Sequence, residues 1–290
     1  QRIGDQMWLG GDIMAKGFLL GATAGRTTLN GEGLQHEDGH SPILAMTNPA
    51  VVAYDAAYGY ELGHIVKDGI RRMYGESPED VFYYLTIYNE PYVQPAEPEG
   101  VDVDGILRGL HLVAPAGDGD GPRAQVLASG VAVPWALAAQ ALLRDDWGVH
   151  ADVWSVTSWN ELRRNGLEVD RHNLLHPTDE PRTAYVTERL AGRPGPVVGV
   201  SDYMRELQDV IRSWVPSDYA TLGTDGWGMS DTRGALRRHF LVDAESITVR
   251  TLASLADRGE IDRAKVAEAI EKYHLTDPTK AAAGNTEGGG

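Results

Sequence analysis

The chain reads as an α/β protein of two mainly parallel-sheet units, and three observations predict it. Apolar runs of strand length alternate with amphipathic runs of helical length on either side of residues 91–100, the pattern of parallel sheets covered by helices. Residues 91–100 have no period and hold Pro91, Pro95 and Pro98, the composition of an extended linker. At 290 residues with 42% apolar and 23% charged residues, the chain can bury a substantial core in one or two domains. The expected organisation is a first unit over 1–90, a linker over 91–100 and a second unit over 101–277. A Gly/Ala-rich tail over 278–290 is read as disordered.

Taken in order, Met7, Trp8, Ile13 and Met14 suggest a short helix, followed by a buried strand of three or four residues at 17–20. Val52, Ala56, Tyr60, Ile65, Ile70 and Met73 recur at roughly helical intervals. They predict one helix over 50–73, with Pro49 at its start and Gly75 at its stop. His64 within it reads as a partly buried structural histidine. Residues 80–88 are dense in aromatic and β-branched side chains and predict a strand. Its tyrosines read as core rather than as a stacking platform. Gly117-Asp118-Gly119-Asp120-Gly121 reads as a turn between two strands at hairpin-like spacing.

Strands follow at 124–128, 151–156, 196–200 and 219–222, with helices at 134–146, 160–175 and 232–240. Met204, Leu207, Val210, Ile211 and Trp214 predict an amphipathic helix over 204–214. A last helical region covers 246–274, broken near Gly259. No internal repeat is present.

Composition narrows the function. Lys plus Arg number 26 against 42 Asp plus Glu, a formal charge of −16. That balance opposes binding to nucleic acid or to an anionic membrane surface. No run of eighteen apolar residues suggests a membrane span, and no secretory signal opens the chain. With no cysteine, disulfides, thiolate metal sites and cysteine nucleophiles are excluded together. A cytoplasmic address is the simplest fit. Gln1 is not an initiator methionine and the first residues read as the middle of a structured region, so a fragment of a longer protein is expected.

One stretch carries the chemistry. Residues 26–41 hold two histidines, three acids, an Asn, a Gln and three glycines, with Leu29 and Leu34 the large apolar side chains. Such a run cannot be buried without losing water from unpartnered polar groups, and it has no helical or strand period. Three readings compete: a solvated surface loop, a metal site, and a cofactor-pocket loop offering an imidazole and a carboxylate for proton transfer. His36-Glu37-Asp38-Gly39-His40 satisfies the H-E-x-x-H pattern of zinc proteases. That pattern needs a helix to bring both imidazoles to one metal. Gly31, Gly33, Gly39 and Pro42 oppose a helix here, so neither a helix nor bound zinc is expected across His36 to His40.

Thr27-Thr28-Leu29-Asn30-Gly31-Glu32-Gly33-Leu34-Gln35-His36-Glu37-Asp38-Gly39-His40 resembles the signature loop of the homodimeric-type pyruvate dehydrogenase decarboxylating component, a thiamine diphosphate enzyme. Gln1-Arg2-Ile3-Gly4-Asp5, Tyr83-Tyr84-Leu85-Thr86 with Tyr88-Asn89-Glu90, Ser155-Val156-Thr157-Ser158, Leu222-Gly223-Thr224-Asp225-Gly226 and Arg238-His239-Phe240 resemble that family too, in order. The resemblance runs from Gln1 to about Asp277. Asp55-Ala56-Ala57 departs from the family, which has a proline after the aspartate; the departure touches a turn.

The resemblance implies that 1–90 is the later part of a pyrimidine-binding, transketolase-like middle domain. It implies that 101–277 is a transketolase C-terminal-like domain, structural and dimer-forming. The implied parent enzyme oxidatively decarboxylates pyruvate with thiamine diphosphate and Mg2+. It passes the acetyl group to a lipoyl-bearing dihydrolipoyl acetyltransferase and works as a homodimer. Another transketolase-like thiamine enzyme, acting on a different 2-oxo acid or a ketose, and a non-catalytic module of the same fold are the alternatives.

By the same resemblance His36 and Glu32 are the catalytic candidates, and Glu32 also lies near the cofactor. An imidazole, with an ordinary pKa near 6.5, suits proton transfer at neutral pH. Arg2 is a candidate for cofactor binding, with a plain surface role equally open. Glu37, Asp38 and His40 are expected to hold the loop by hydrogen bonds. No metal ligand is assigned. The family's Gly-Asp-Gly metal motif needs an Asn at a shorter distance than Asn160 stands from 117–121. The activating glutamate and the metal–diphosphate domain belong upstream of the match. The 290 residues alone are therefore expected neither to bind thiamine diphosphate tightly nor to decarboxylate pyruvate.

Overall fold

The computed structural model describes residues 3–33 and 36–280. The first unit contains α1 (Gly4–Asp12), β1 (Phe18–Ala22), α2 (Ser41–Met46), β2 (Val51–Tyr54), α3 (Gly59–Tyr74) and β3 (Phe82–Ile87). Its three strands lie in the order β1-β3-β2, all parallel. Central β3 buries Phe82 to Thr86 in succession, because a parallel strand covered on both faces needs apolar or satisfied residues on both. Tyr83 stacks on Tyr54 and tilts against Phe18. The α3 face made by Ile65, Gly69 and Met73 covers them. A Cβ on Gly69 would stand 3.0 Å from the Phe18 ring, so the glycine sets how closely α3 approaches the sheet.

Two expectations for this unit are corrected. The helix over 50–73 is instead β2, a loop and α3. All four residues of β2 are buried, so the strand shows no in–out alternation, and the spacing of Val52, Ala56 and Tyr60 imitates a helical stripe. The strand expected at 17–20 as buried is β1, and it forms a sheet edge: Leu20 is 63% exposed. Met7 and Trp8 lie in α1 as expected, but the helix ends at Asp12, before Ile13 and Met14; the strand at 80–88 is found as β3.

Residues 91–100 contain no helix or strand and lie against the first unit. Tyr92 donates to the Ala57 carbonyl, Gly59 N–H donates to Gln94 Oε1 at 3.0 Å, and Glu97 meets His64 at 3.1 Å. His64 is partly buried, as expected, and faces Glu97.

Next come α4 (Val103–Arg108), β4 (His111–Ala114), β5 (Arg123–Ala128), α5 (Ala132–Trp147), β6 (His150–Ser155), α6 (Trp159–Leu175), α7 (Tyr185–Leu190), β7 (Val197–Val200), α8 (Glu206–Asp209), β8 (Tyr219–Leu222), α9 (Arg233–Phe240), α10 (Ala244–Asp257) and α11 (Arg263–Lys272). The sheet order is β4-β6-β5-β7-β8, parallel except for the edge strand β4. The central strands are buried along nearly their whole length. Side-chain oxygens of Asp102, Ser158, Thr232, Asp243 and Asp262 cap α4, α6, α9, α10 and α11 by accepting from backbone N–H groups of the first turn.

Three further expectations change. Residues 117–121 do join β4 to β5, but these strands are not neighbours, since β6 lies between them; the connection is no hairpin. The helix over 204–214 shrinks to α8 and a 3-10 turn at Arg212–Trp214. Tertiary bonds claim its backbone: Met204 N–H donates to Gly39, Arg205 N–H to Asp225, and the Gln208 and Trp214 carbonyls accept from Tyr219 and Thr187. The tail expected to be disordered from 278 begins with a 3-10 turn at Pro278–Lys280; 281–290 lie outside the described residues.

Buried polar groups join the two sheets. Asp55, after β2, accepts from the hydroxyls of Thr86 at 2.6 Å, Tyr88 at 2.5 Å and, across the interface, Ser129 at 2.6 Å. Burial raises its pKa and these hydroxyls partly offset the rise. Ser158 Oγ donates to the Ala53 carbonyl at 2.6 Å. Glu61 of α3 and His111 of β4, both almost wholly buried, meet at 2.6 Å. Groups so far from water are stable only where partnered, so these bonds specify how the units dock.

Candidate active site

The loop over 26–41 runs from the end of β1 to α2, on the side of the sheet where parallel α/β folds place functional loops. Its root is buried: Arg26, Thr27 and Thr28 are each 7% exposed or less. Thr28 Oγ1 donates to the Ala24 carbonyl at 2.6 Å. Thr27 donates its N–H and its hydroxyl to the two oxygens of Asp202, at 3.0 and 2.8 Å. Arg26 Nη1 reaches the carbonyls of Thr224 at 2.6 Å and Gly226 at 2.5 Å. Arg237 donates to Thr27 Oγ1 at 3.3 Å and pairs with Glu90. Its guanidinium lies over the Trp135 ring, 4.5 Å from the centroid.

Beyond this root the chain turns outward. Glu32 and His36 are brought together, Oε2 to Nδ1 at 2.9 Å, with side chains 47% and 58% exposed. Glu37 turns inward and is 5% exposed, packed against Gly228. Burial raises the pKa of its carboxyl, offset in part by the Met229 N–H and the Arg26 guanidinium. Neither of its oxygens reaches full hydrogen-bond geometry with a partner. Asp38 accepts from the N–H groups of His40 at 3.0 Å and Ser41 at 2.9 Å. That turn leads into α2, where Pro42 fills a first-turn position that needs no donor. His36 lies in a 3-10 turn and residues 37–40 carry no helix, so no α-helix runs from His36 to His40. Arg2, Leu34 and Gln35 lie outside the described residues.

The model of the pyruvate dehydrogenase E1 component middle domain matches residues 1–95, and that of the transketolase-like C-terminal domain matches 109–243. The pyruvate dehydrogenase E1 component of Mycolicibacterium smegmatis is 58% identical over 281 residues, 97% of this chain and 30% of that protein. That of Mycobacterium tuberculosis is 54% identical over the whole chain and 31% of its own length. Over nearly its whole length the chain resembles the C-terminal third of the pyruvate dehydrogenase E1 component. It spans about 30% of the length of the curated relatives it matches. A transketolase structure from Campylobacter jejuni shares the fold at a TM-score of 0.60 and 18% identity, over 87% of this chain and 34% of that one.

The loop is held largely by the second unit, through the segments that follow β7 and β8 and through α9. Asp202, Thr224, Gly226, Arg233 and Arg237 were not candidates on sequence grounds. Thr224 and Gly226 lie in a recognised family motif, but nothing in that motif says that its carbonyls receive Arg26. Glu37 was expected to hold the loop by hydrogen bonds, and the structure shows a buried carboxylate wedged in place. Asp38 holds the loop as expected.

Burial raises the Asp202 pKa from the usual 3.8 to about 7, against the opposing pull of the Thr27 donors and Arg237; Glu90 adds to the rise. A carboxyl whose folded pKa lies above its unfolded value stabilises most below the unfolded pKa, and that contribution is lost as pH rises through the folded one. Stability is therefore expected to fall between about pH 4 and pH 7, by at most about 4 kcal/mol from this group. Asp202→Asn should flatten that slope in urea melts; an unchanged slope would mean that the carboxyl is ionised throughout.

Proposed function

We propose that this chain supplies a pyruvate dehydrogenase E1 with its proton-transfer loop and with the domain that holds that loop in place. The observation that carries the reading is the exposed Glu32–His36 pair at 2.9 Å, on a loop whose root is buried. Glu32 meets Nδ1, so a neutral ring donating from Nδ1 keeps Nε2 free to accept a proton. After protonation Nε2 is the donor, and the carboxylate steadies the imidazolium. His36 is thus the acid/base, and Glu32 orients it and lines the cofactor side of the pocket.

The whole enzyme, in this proposal, decarboxylates pyruvate oxidatively and hands the acetyl group to the lipoyl group of a dihydrolipoyl acetyltransferase. Thiamine diphosphate supplies the carbanion chemistry. The described residues offer no group of three or more His, Cys, Asp or Glu suited to a metal ion. By the family resemblance, Mg2+ and the diphosphate are assigned to the part of the relatives' length that this chain does not span, and no step is routed through them here. A homodimer in the cytoplasm completes the proposal. Among the described residues no helix is long and apolar enough to cross a membrane.

The test has two arms. Full-length enzyme carrying this segment should reduce an electron acceptor in a pyruvate- and thiamine diphosphate-dependent reaction. Calorimetric titration of the isolated 290 residues with thiamine diphosphate and Mg2+ should give no micromolar binding, because much of the cofactor's anchoring charge is missing. Micromolar binding to the isolated chain would show that the cofactor site has been misplaced. A full-length enzyme that ignores pyruvate and turns over another 2-oxo acid or a ketose would overturn the assigned reaction.

A further inference from the structure

The Glu32–His36 tip hangs between two grips, each of which has partners in the second unit. Upstream of the tip, Arg233 donates Nε to the Thr28 carbonyl at 2.7 Å and its N–H to Asn30 Oδ1 at 3.0 Å. Beside them Gly31 N–H donates to the Asp231 carbonyl at 3.1 Å. Downstream, Glu37 is wedged against Gly228, Gly39 lies under the Arg26 guanidinium, and the Gly39 carbonyl accepts from Met204 N–H at 2.9 Å. A Cβ on either Gly39 or Gly228 would collide with those charged ends. Between the grips, the bonds seen are His36 N–H to the Gly33 carbonyl, at 3.0 Å, and the Glu32–His36 pair itself.

We propose that Arg233 and Glu37 are positioning residues for proton transfer, setting where His36 sits through a cradle made by residues 224–233. The proposal rests on the reading of His36 as the acid/base. Glu37 follows His36 in the chain, so seating one side chain inward turns the other outward. Burying a carboxylate with incomplete hydrogen bonding is unfavourable. A residue that only filled space there would be better as an uncharged one, and unfavourable local arrangements of this kind concentrate where geometry serves chemistry. Arg233 opens α9, whose cap is Thr232, so its backbone donor is aimed by a helix rather than by a loop. A misplacement of about 1 Å at a reacting group can cost on the order of 10² in rate, so grips this close to His36 should register in turnover.

The test uses full-length enzyme carrying this segment. Arg233→Ala and Glu37→Ala should each lower kcat about 10-fold, with KM for pyruvate within about twofold. Arg233→Lys and Glu37→Gln should recover much of the loss, since lysine can again reach the Thr28 carbonyl and glutamine keeps the wedge's size. Arg123→Ala, at the start of the central strand β5 and so at the opposite end of the strands from the loop, serves as the control. The second readout is 15N NMR of the His36 ring, whose tautomer balance and titration should shift in both alanine variants and return in the conservative ones. Unchanged kcat in both alanine variants would sink the proposal. So would a loss of kcat that tracks melting temperature while the His36 resonances stay in place. If His36→Ala itself left turnover intact, the functional reading would fail instead, and the His36 resonances would still report whether Arg233 and Glu37 position the ring.

Discussion

His36→Ala in the full-length enzyme is expected to lower turnover on pyruvate by roughly 10² or more, with the fold and cofactor affinity nearly unchanged. The fold is safe because the His36 side chain is 58% exposed and its one bond seen here is to Glu32. Its loss leaves no buried donor or acceptor behind. The rate is vulnerable because a positioned acid/base contributes about 10² to 10⁴, and Glu32 beside it lacks the second ring nitrogen that would face the substrate. Steady-state kinetics with a thermal melt of the same preparation is the check. A variant at full speed would remove the loop from the chemistry. A variant that melts early would show that the ring supports the structure instead.

Arg238→Ala should have the largest effect on stability, about 3–5 kcal/mol. Arg238 is 1% exposed and binds Asp243 Oδ2 at 2.5 Å, the Tyr273 carbonyl at 3.0 Å and Glu245 Oε2 at 3.5 Å. Removing it leaves two acids facing one another without their cation, and it frees the chain end after α11 from α9. Asp243 also caps α10 through the Ser246 N–H at 2.9 Å, so the damage should extend into that helix. The urea midpoint of the enzyme is the measurement. A triple change of Arg238→Met, Asp243→Asn and Glu245→Gln should recover most of the loss, because the cost comes from uncompensated buried charge more than from lost attraction. A small loss in the single variant would mean that water reaches the cluster. Arg238 entered the sequence analysis as part of a family motif. Its surroundings account for it by packing and charge.

The expected strands at 80–88, 124–128, 151–156, 196–200 and 219–222 match β3 and β5 to β8 closely, because an apolar run bounded by turn residues has few other uses. The late helices α9, α10 and α11 were equally readable, with α10 and α11 separated where Gly259 suggested. What misled was periodicity without context. A strand buried on both faces has no alternation to reveal it, so β2 merged with α3. Around 204–214 the apolar spacing was sound and the helix was still lost, because neighbouring elements took up its backbone groups. A pattern of buried positions states that a face is covered and says nothing of what covers it.

The sequence alone determined the α/β class with two mainly parallel sheets, the absence of cysteine chemistry, and a polar glycine-rich loop carrying Glu32 and His36 four residues apart. Those facts depend on residue identity and short spacing, which the chain carries locally. Only the tertiary structure decided that Glu37 points inward, that Arg26 binds the carbonyls of Thr224 and Gly226, and that Asp202 and Arg233 hold the loop. Loop and partners are 175 to 210 residues apart in the chain. A hydrogen bond or ion pair is fixed by distance and direction in space. At such separations those follow from how two sheets pack, through Asp55, Ser158 and the Glu61–His111 pair, and no local pattern records that packing.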